Sequence, residues 1–484
     1  MAGYLANLFS AILGKYYSPT QDITRSYIRS PLQDVRKDWS ASTRQEQVRL
    51  IRHFEQTTGI VNRLADLFEA YTVGVGLMTH PASDDSEWND TADESFATWS
   101  DNADVISRQS FGTIQGLIAR AWFVDGECFV IKDTKSQSGR PRLRLVESHR
   151  VCTPPGYSEE NGVYDGVEID ERKRPAAYWI KELSADGMRW EWERYDAGMI
   201  EHIFEPQRPD QYRGIPFLTP VLRHLHDLDD LQAYEMLSAK GNSEISNILK
   251  TETGEAPISP LMAKFRGNQS VTTGTGAVIT EERIDYVRKA LGGRTVALKL
   301  NESLEQHRSD RPGAATMEFW RSIKEEICTG AGIPYVLVYP GSMQGTVYRG
   351  ALDAADAFFR ARSSVMQAFV RRIYAWVMRF EAASNPKLRP MPADWYKVVI
   401  HPPRSVKVDI GYDSKAAIQE IDAGLSTYDM IYGPRGLDWR EQFTALREQQ
   451  LFAEGIGLQL GQQKKAEPEK KDEEEEPKPE PAKP

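Results

Sequence analysis

The sequence predicts an α+β chain with several packing units, and three observations carry that expectation. Apolar residues recur at helical spacing up to about residue 121 and again from Pro216, and between Trp122 and Phe204 the period falls to two. A stretch in which the pattern degrades, Gly241 to Pro312, with short strand-like pieces at Ala277–Ile279 and Thr295–Leu300, separates two helices. Third, a single core seldom grows beyond ~250–300 residues, and this chain has 484.

Taken in order, Leu5, Leu8, Phe9, Ile12, Leu13 and Tyr16 form an amphipathic N-terminal helix. It lacks the flanking charge and cleavage site of a signal peptide, so docking on its own or a neighbouring subunit is expected over lying on a membrane. Thr43 and Glu46 have the spacing of a capping box opening a helix that Gly59 breaks or kinks. Thr91 and Glu94 repeat the device, and a further helix is expected over Phe111–Ala121. In the strand region, Met188, Trp190 and Trp192 alternate with Arg189, Glu191 and Glu193, the pattern of a half-buried strand. Leu143 and Leu145 alternate in the same way with arginines. Asp-Gly and Asn-Gly turns punctuate the region, which predicts an antiparallel sheet packed on the preceding helices.

Helix resumes at Pro216 with the stripe Leu218, Val221, Leu222, Leu225, Leu228 and Leu231. After the mixed insertion comes a helix over 314–330 with Met317, Trp320, Ile323 and Ile327 on one face. A Gly-rich loop over 334–350 leads into a long helix from Ala351 to Phe380, of about 45 Å at 1.5 Å per residue. Extended chain is expected over Val398–Val408, then helices over Ser414–Ala423 and Asp438–Glu454. Lys464–Pro484 holds six Lys, eight acids and five Pro, and is expected to be disordered.

Composition narrows the function classes. The formal charge of −10 disfavours a simple DNA-binding module, which gains its affinity by neutralising phosphates. Three scattered cysteines argue against a disulfide framework or a zinc site. No apolar run reaches the ~18–20 residues of a membrane span. His224-x-His226 beside Asp227, Asp229 and Asp230 suggests a metal cluster at first sight, but i and i+2 on a helix point apart, so a solvated polar face is expected. The Gly-rich runs at 273–276 and 341–345 lack the Gly-Lys-Ser/Thr ending of a phosphate loop. No catalytic residue, metal or cofactor is expected.

Several segments, in order, resemble the lambda-type phage portal family. The most specific runs from Phe204 through Arg208-Pro-Asp-Gln211-Tyr-Arg213-Gly214-Ile-Pro216 to Pro220-Val221-Leu222, followed by Leu225-His-Asp-Leu-Asp229. Others are Gln47–Gly76, Phe96-Ala-Thr-Trp99, Asp125-Gly126-Glu127, Gly332-Ile-Pro334-Tyr335, Pro402-Pro403-Arg404, Asp409 and Gly424–Thr427. The resemblance implies an N-terminal arm over 1–40, a wing over 41–215, stem helices over 216–240 and 314–333, and a clip over 241–313. It further implies a tunnel loop over 334–350, a long wing helix with return segment over 351–412, a crown over 413–460 and a charged tail over 461–484.

The same resemblance implies a dodecameric ring at the capsid portal vertex of a virion, assembled in the host cytoplasm. Double-stranded DNA would pass through it without sequence preference during packaging and ejection. The partners implied are the terminase large subunit, a head–tail adaptor, and capsid and scaffold proteins, with no membrane. On the tunnel loop, Met343, Gln344, Thr346, Tyr348 and Arg349 would face DNA. The family's Asn-Tyr-Ser-Ser-Ala-Arg is replaced here by Thr346-Val-Tyr348-Arg349-Gly350-Ala351. Arg321 and Lys324 on the second stem helix would line the channel, or else pair with Glu325 or a neighbouring subunit. Rival readings are another head or neck connector ring, or a nucleic-acid-processing packaging enzyme.

Overall fold

The computed structural model describes residues 34–106, 108–134, 139–184, 186–244, 247–250, 295–298, 314–341, 346–403, 410–432 and 439–455. The expected N-terminal helix, the charged tail and most of 241–313 lie outside them. The chain divides into two compact units, Met1–Val408 and Asp409–Pro484.

The first unit opens with α1 (Val35–Asp38) and α2 (Ala41–Thr57). The Ser40 hydroxyl accepts from the Thr43 N–H at 3.4 Å, so the cap lies three residues before the expected box. Glu46 instead binds Arg49 within the helix. After the break at Thr58 come α3 (Gly59–Thr72), β1 (Thr79–Pro81) and α4 (Ser86–Ser100). Here too the cap lies upstream of the expected Thr91–Glu94 box. The Asp85 carboxylate accepts from the Trp88 N–H at 3.1 Å, and Thr91 turns its hydroxyl back to the Glu87 carbonyl. A capping-box spacing inside a helix is a false start when a better oxygen precedes it. Helix α5 (Phe111–Asp125) runs a turn past its expected end, to Gly126 at φ +85°.

Two antiparallel sheets follow. Strands β2 (Glu127–Asp133) and β3 (Arg142–Val146) belong to the first. Strands β4 (Val163–Tyr164), β5 (Val167–Ile169), β6 (Pro175–Leu183) and β7 (Trp190–Asp196) form the second, in that order. Strand β8 (Ile200–Phe204) returns to the first sheet, whose order is β3-β2-β8. Between them Phe129, Ile131, Val151, Tyr178 and Ile180 make a second core. The half-buried expectation for β7 holds only for part of the strand. At the sheet's margin it is covered only in part: Trp192 and Tyr195 are part-buried, whereas Met188 and Trp190 are 84% and 51% exposed.

Helix α6 (Leu222–Glu244) starts after a tight 3-10 turn at Thr219–Val221, later than the expected Pro216. Leu218, Val221, Leu225 and Leu228 are buried, whereas Tyr234, Met236 and Leu237 are exposed. Strands β9 (Asn247–Lys250) and β10 (Thr295–Leu298) pair in parallel. The partner of α6 is α7 (Ala314–Gly330), on which Ile323 and Ile327 are buried but Met317 and Phe319 are exposed. The apolar stripes therefore outrun the core that covers them. A short α8 (Tyr335–Val338) leads to α9 (Thr346–Ser384), about 58 Å long and extended at both ends relative to expectation. Strand β11 (Val398–Ile400) pairs with β1. At the centre, Phe68 meets Trp122, Phe123, Phe217 and Phe358, with ring centroids 5.0–6.4 Å apart.

The second unit holds α10 (Ile410–Asp422), α11 (Tyr428–Tyr432) and α12 (Trp439–Gly455). Tyr428 and Trp439 pack edge-on against Phe443, at 4.8 and 5.6 Å.

Replacing Asp85 by Ala should cost about 1 kcal/mol in urea denaturation, the usual value of an N-cap, while Thr91→Ala should cost measurably less.

Candidate functional site

Two constellations stand out, one buried and one at the surface. The buried one forms where Asp125-Gly126-Glu127 meets Arg213-Gly214. Glu127 is fully buried at the start of β2. Its Oε1 accepts from Arg213 Nη2 at 2.6 Å and from Arg44 Nη1 at 3.2 Å. Its Oε2 takes the Gly214 N–H at 2.7 Å and pairs with His202 Nε2 at 3.0 Å. Asp165 supplies the second negative charge, to Arg44 Nε at 2.6 Å and Arg213 Nη1 at 3.2 Å. Arg213 spends its remaining donors on the carbonyls of Ser148, Val151 and Asp165.

The two glycines make this contact possible. A Cβ on Gly126 would collide with the backbone of Ile215 and Pro216, and one on Gly214 with the Gly126 carbonyl. Gln211 fastens the same turn, accepting from the Gln207 N–H and donating to the Arg213 carbonyl. The N–H of Phe217 then donates to the Phe123 carbonyl at 3.2 Å. The motif thus splices the chain segment that enters α6 onto the α5–β2 junction.

The electrostatics follow from burial. Desolvation would raise the Glu127 carboxyl, but the Arg213 and Arg44 guanidiniums outweigh it and hold the group well below the usual carboxylate range. His202 lies stacked between Phe129 and Phe204, with centroids at 4.1 and 4.3 Å. Its burial outweighs the bond to Glu127, so its pKa is lowered and the ring is held neutral. The opposite charges of two arginines and two carboxylates balance, as a buried ionic cluster requires.

At the surface, α7 and α8 bring together cations and rings. Arg321 lies over Tyr335 at 5.9 Å and Lys324 over Tyr339 at 5.4 Å, and the two tyrosines sit 4.7 Å apart. Arg321 also donates to Glu325 at 2.9 Å, the pairing expected as the alternative to a channel role. Of the loop residues, Met343 and Gln344 lie outside the described residues. Thr346, Tyr348 and Arg349 do not sit on a loop but in the first turn of α9. Tyr348 packs partly buried against the main core and Arg349 is exposed. The structure brings Arg321 and Lys324 together.

The sequence reading missed Tyr339, Arg44, Asp165 and His202. Tyr339 had a signal, four residues after Tyr335 on the same side of a turn. A lone arginine in an amphipathic helix had none. His226 stacks edge-on to Phe54 at 4.9 Å. Among the described residues no group of three His, Cys, Asp or Glu side chains could hold a metal ion, and no helix is long and apolar enough to cross a membrane.

The family described as phage portal protein, lambda family, matches residues 22–360. A probable portal protein of Halomonas phage phiHAP-1 is 28% identical over 180 residues, covering 35% of this chain and 34% of that one. Portal protein B of Escherichia phage lambda is 23% identical over 387 residues, covering 73% and 71%. The portal protein of Escherichia phage N15 is 22% identical over 405 residues, covering 77% and 74%. The chain therefore spans about a third of the first of these and more than two thirds of the other two. Among solved structures, a chain from the virion of a native gene transfer agent particle aligns with TM-score 0.41. One from the neck of that particle, computed with C12 symmetry, aligns with TM-score 0.43. Each is 14% identical and covers 81% of this chain and 94% of its own.

Glu127→Ala leaves two arginines buried beside one carboxylate and should cost about 3–5 kcal/mol in denaturant titrations. Because the pKa of His202 is lowered on folding, the unfolded chain takes up its proton first, and stability should fall as pH drops below about 6.5. Melting His202→Gln alongside the parent from pH 7 to 5 should show a flatter decline in the variant. Glu127 contributes throughout that window, since its stabilisation is present above about pH 4 and is lost only in stronger acid.

Proposed function

The chain belongs to the lambda family of phage portal proteins, and on that premise we propose that it forms a dodecameric ring at the portal vertex, a passive conduit for double-stranded DNA during packaging and ejection. The observation that carries the ring is the helix pair α6–α7. Beyond the core, Tyr234, Met236 and Leu237 on one helix and Met317 and Phe319 on the other are 53–69% exposed. Large apolar side chains in that number mark an interaction surface, and a head-to-tail neighbour in a closed ring would cover them.

In this reading α6 and α7 are the stem and residues 241–313 the clip, docking first the terminase large subunit and later a head–tail adaptor. Residues 413–460 form the crown, and capsid and scaffold proteins surround the wing. The energy for packaging comes from a separate ATPase. Arg321, Lys324, Tyr348 and Arg349, together with Met343, Gln344 and Thr346, are the proposed channel residues. The engagement of Arg321 and Lys324 with tyrosine rings supports a loose hold on phosphate, because a tethered cation is a weaker clamp. Twelve copies carry about −120 in formal charge, which favours sliding over binding.

Negative-stain electron microscopy of the purified chain should show rings with a central hole, and Leu237→Asp with Met317→Asp should abolish them while leaving the melting temperature of the monomer within a few degrees. A monodisperse monomer at high concentration would count against the ring. The assembled ring should bind linear duplex no tighter than about 1 µM at physiological salt. A tighter complex with a steep salt dependence would exclude the sliding mechanism.

A further inference from the structure

Helix α4 and the cleft beside it present a second surface. From residue 64 to residue 107 the sequence holds ten acidic residues and neither Lys nor Arg. On α4 and its C-cap, Glu87, Asp90, Glu94 and Asp101 are exposed, fall within about 60° of arc and make a row of about 21 Å. None of the four is in an ion pair among the described residues.

The row runs into a cleft of about 770 Å³ whose lining includes Thr91, Glu94, Ser95, Thr98, Arg140 and Glu381. Glu381, near the end of α9, is only 3% exposed. Its Oε2 accepts from the Ser95 hydroxyl at 3.1 Å, but its Oε1 has no hydrogen-bond partner. Arg140 Nε makes only a long ion pair with it, at 4.0 Å, from a side chain that is half exposed. A buried carboxylate oxygen left in this state is costly. The same end of α9 already holds one guanidinium: Arg389 donates to the carbonyls of Ala382 and Ala383, at the negative end of the helix dipole.

We propose that this face binds a basic segment of another protein, with an arginine entering the cleft to bond Glu381 Oε1 while Arg140 swings aside, and further basic residues pairing along the row. A guanidinium fits better than a compact ammonium, because its fork can serve a carboxylate and the threonine hydroxyls at once. A metal ion fits poorly, since no third acidic or histidine ligand converges there among the described residues. A second copy of this chain fits poorly too. Most of its described arginines are already committed to its own carboxylates, as Arg174, Arg194, Arg360 and Arg362 are.

The test is fluorescence anisotropy of a labelled nona-arginine peptide with the full chain at physiological salt. Glu381→Gln should weaken binding about fivefold or more and Glu87→Gln with Glu94→Gln about tenfold, whereas the control Glu160→Gln with Glu171→Gln, which removes the same charge elsewhere, should change it less than about twofold. Equal losses in all three would mean diffuse attraction to an acidic chain and would overturn the proposal. If Glu381→Gln lowers the melting temperature enough to cloud its result, the exposed Glu87/Glu94 pair decides. Sedimentation velocity without peptide completes the test: a smaller assembly in the Glu87/Glu94 variant would identify the row as a contact between copies and overturn the assignment to another protein.

Discussion

The first unit depends on one buried charge. Glu127 sits in a place water cannot reach, so every segment that neutralises it must arrive in register. Arg44 comes from α2, His202 from β8, and Arg213 with Gly214 from the approach to α6. Helices, sheet and helix pair are thereby fixed to a single carboxylate. A hydrophobic core of similar volume could be as stable, but it would not set the angle at which α6 leaves the body so sharply, because apolar contacts carry little directional information.

The surrounding packing makes the same junction dry. Phe217 follows the motif directly and stacks on Phe123 at 5.5 Å, within reach of Phe68 and Phe358. Arg362 lies over Phe358 at 4.0 Å and pairs with Glu205 at the start of the same loop. The long helix α9 is thus tied to both sides of the loop that Arg213 anchors. Stiffness at the root of the helix pair contrasts with the exposed apolar faces farther out, where no part of the described chain supplies cover.

Much of this was legible in the sequence. The change of period from 3.6 to two marked the sheets, and Gly59 marked the break between α2 and α3, whereas Gly126 was legible as a turn but not as the end of α5. The Arg-Gly and Asp-Gly-Glu motifs were visible as motifs, yet their contact with each other was not, since nothing local pairs residue 127 with residue 213. Helix starts were misplaced where Ser40 and Asp85 offered an earlier oxygen than the expected threonines. Strand β7 is covered less than its alternation suggests, because alternation reports a pleat, not what covers it. The proposed channel residues were readable only by resemblance. Their surroundings were not, because cation–ring pairs between α7 and α8 depend on a turn whose geometry no spacing encodes.

The wide sequence separation of the charge cluster bears on how the chain acquires its fold. The bonds that Arg44 and Arg213 make there link residues 83, 86, 104 and 121 positions apart. Closing loops of that length is slow relative to forming local helices. On a translating ribosome, α2 to α5 emerge and can assemble long before Arg213 exists, leaving Glu127 without its main counter-ion. The Glu127 cluster is therefore complete only once the loop before α6 has been made, and the main core only once α9 supplies Phe359, Met366 and Phe369.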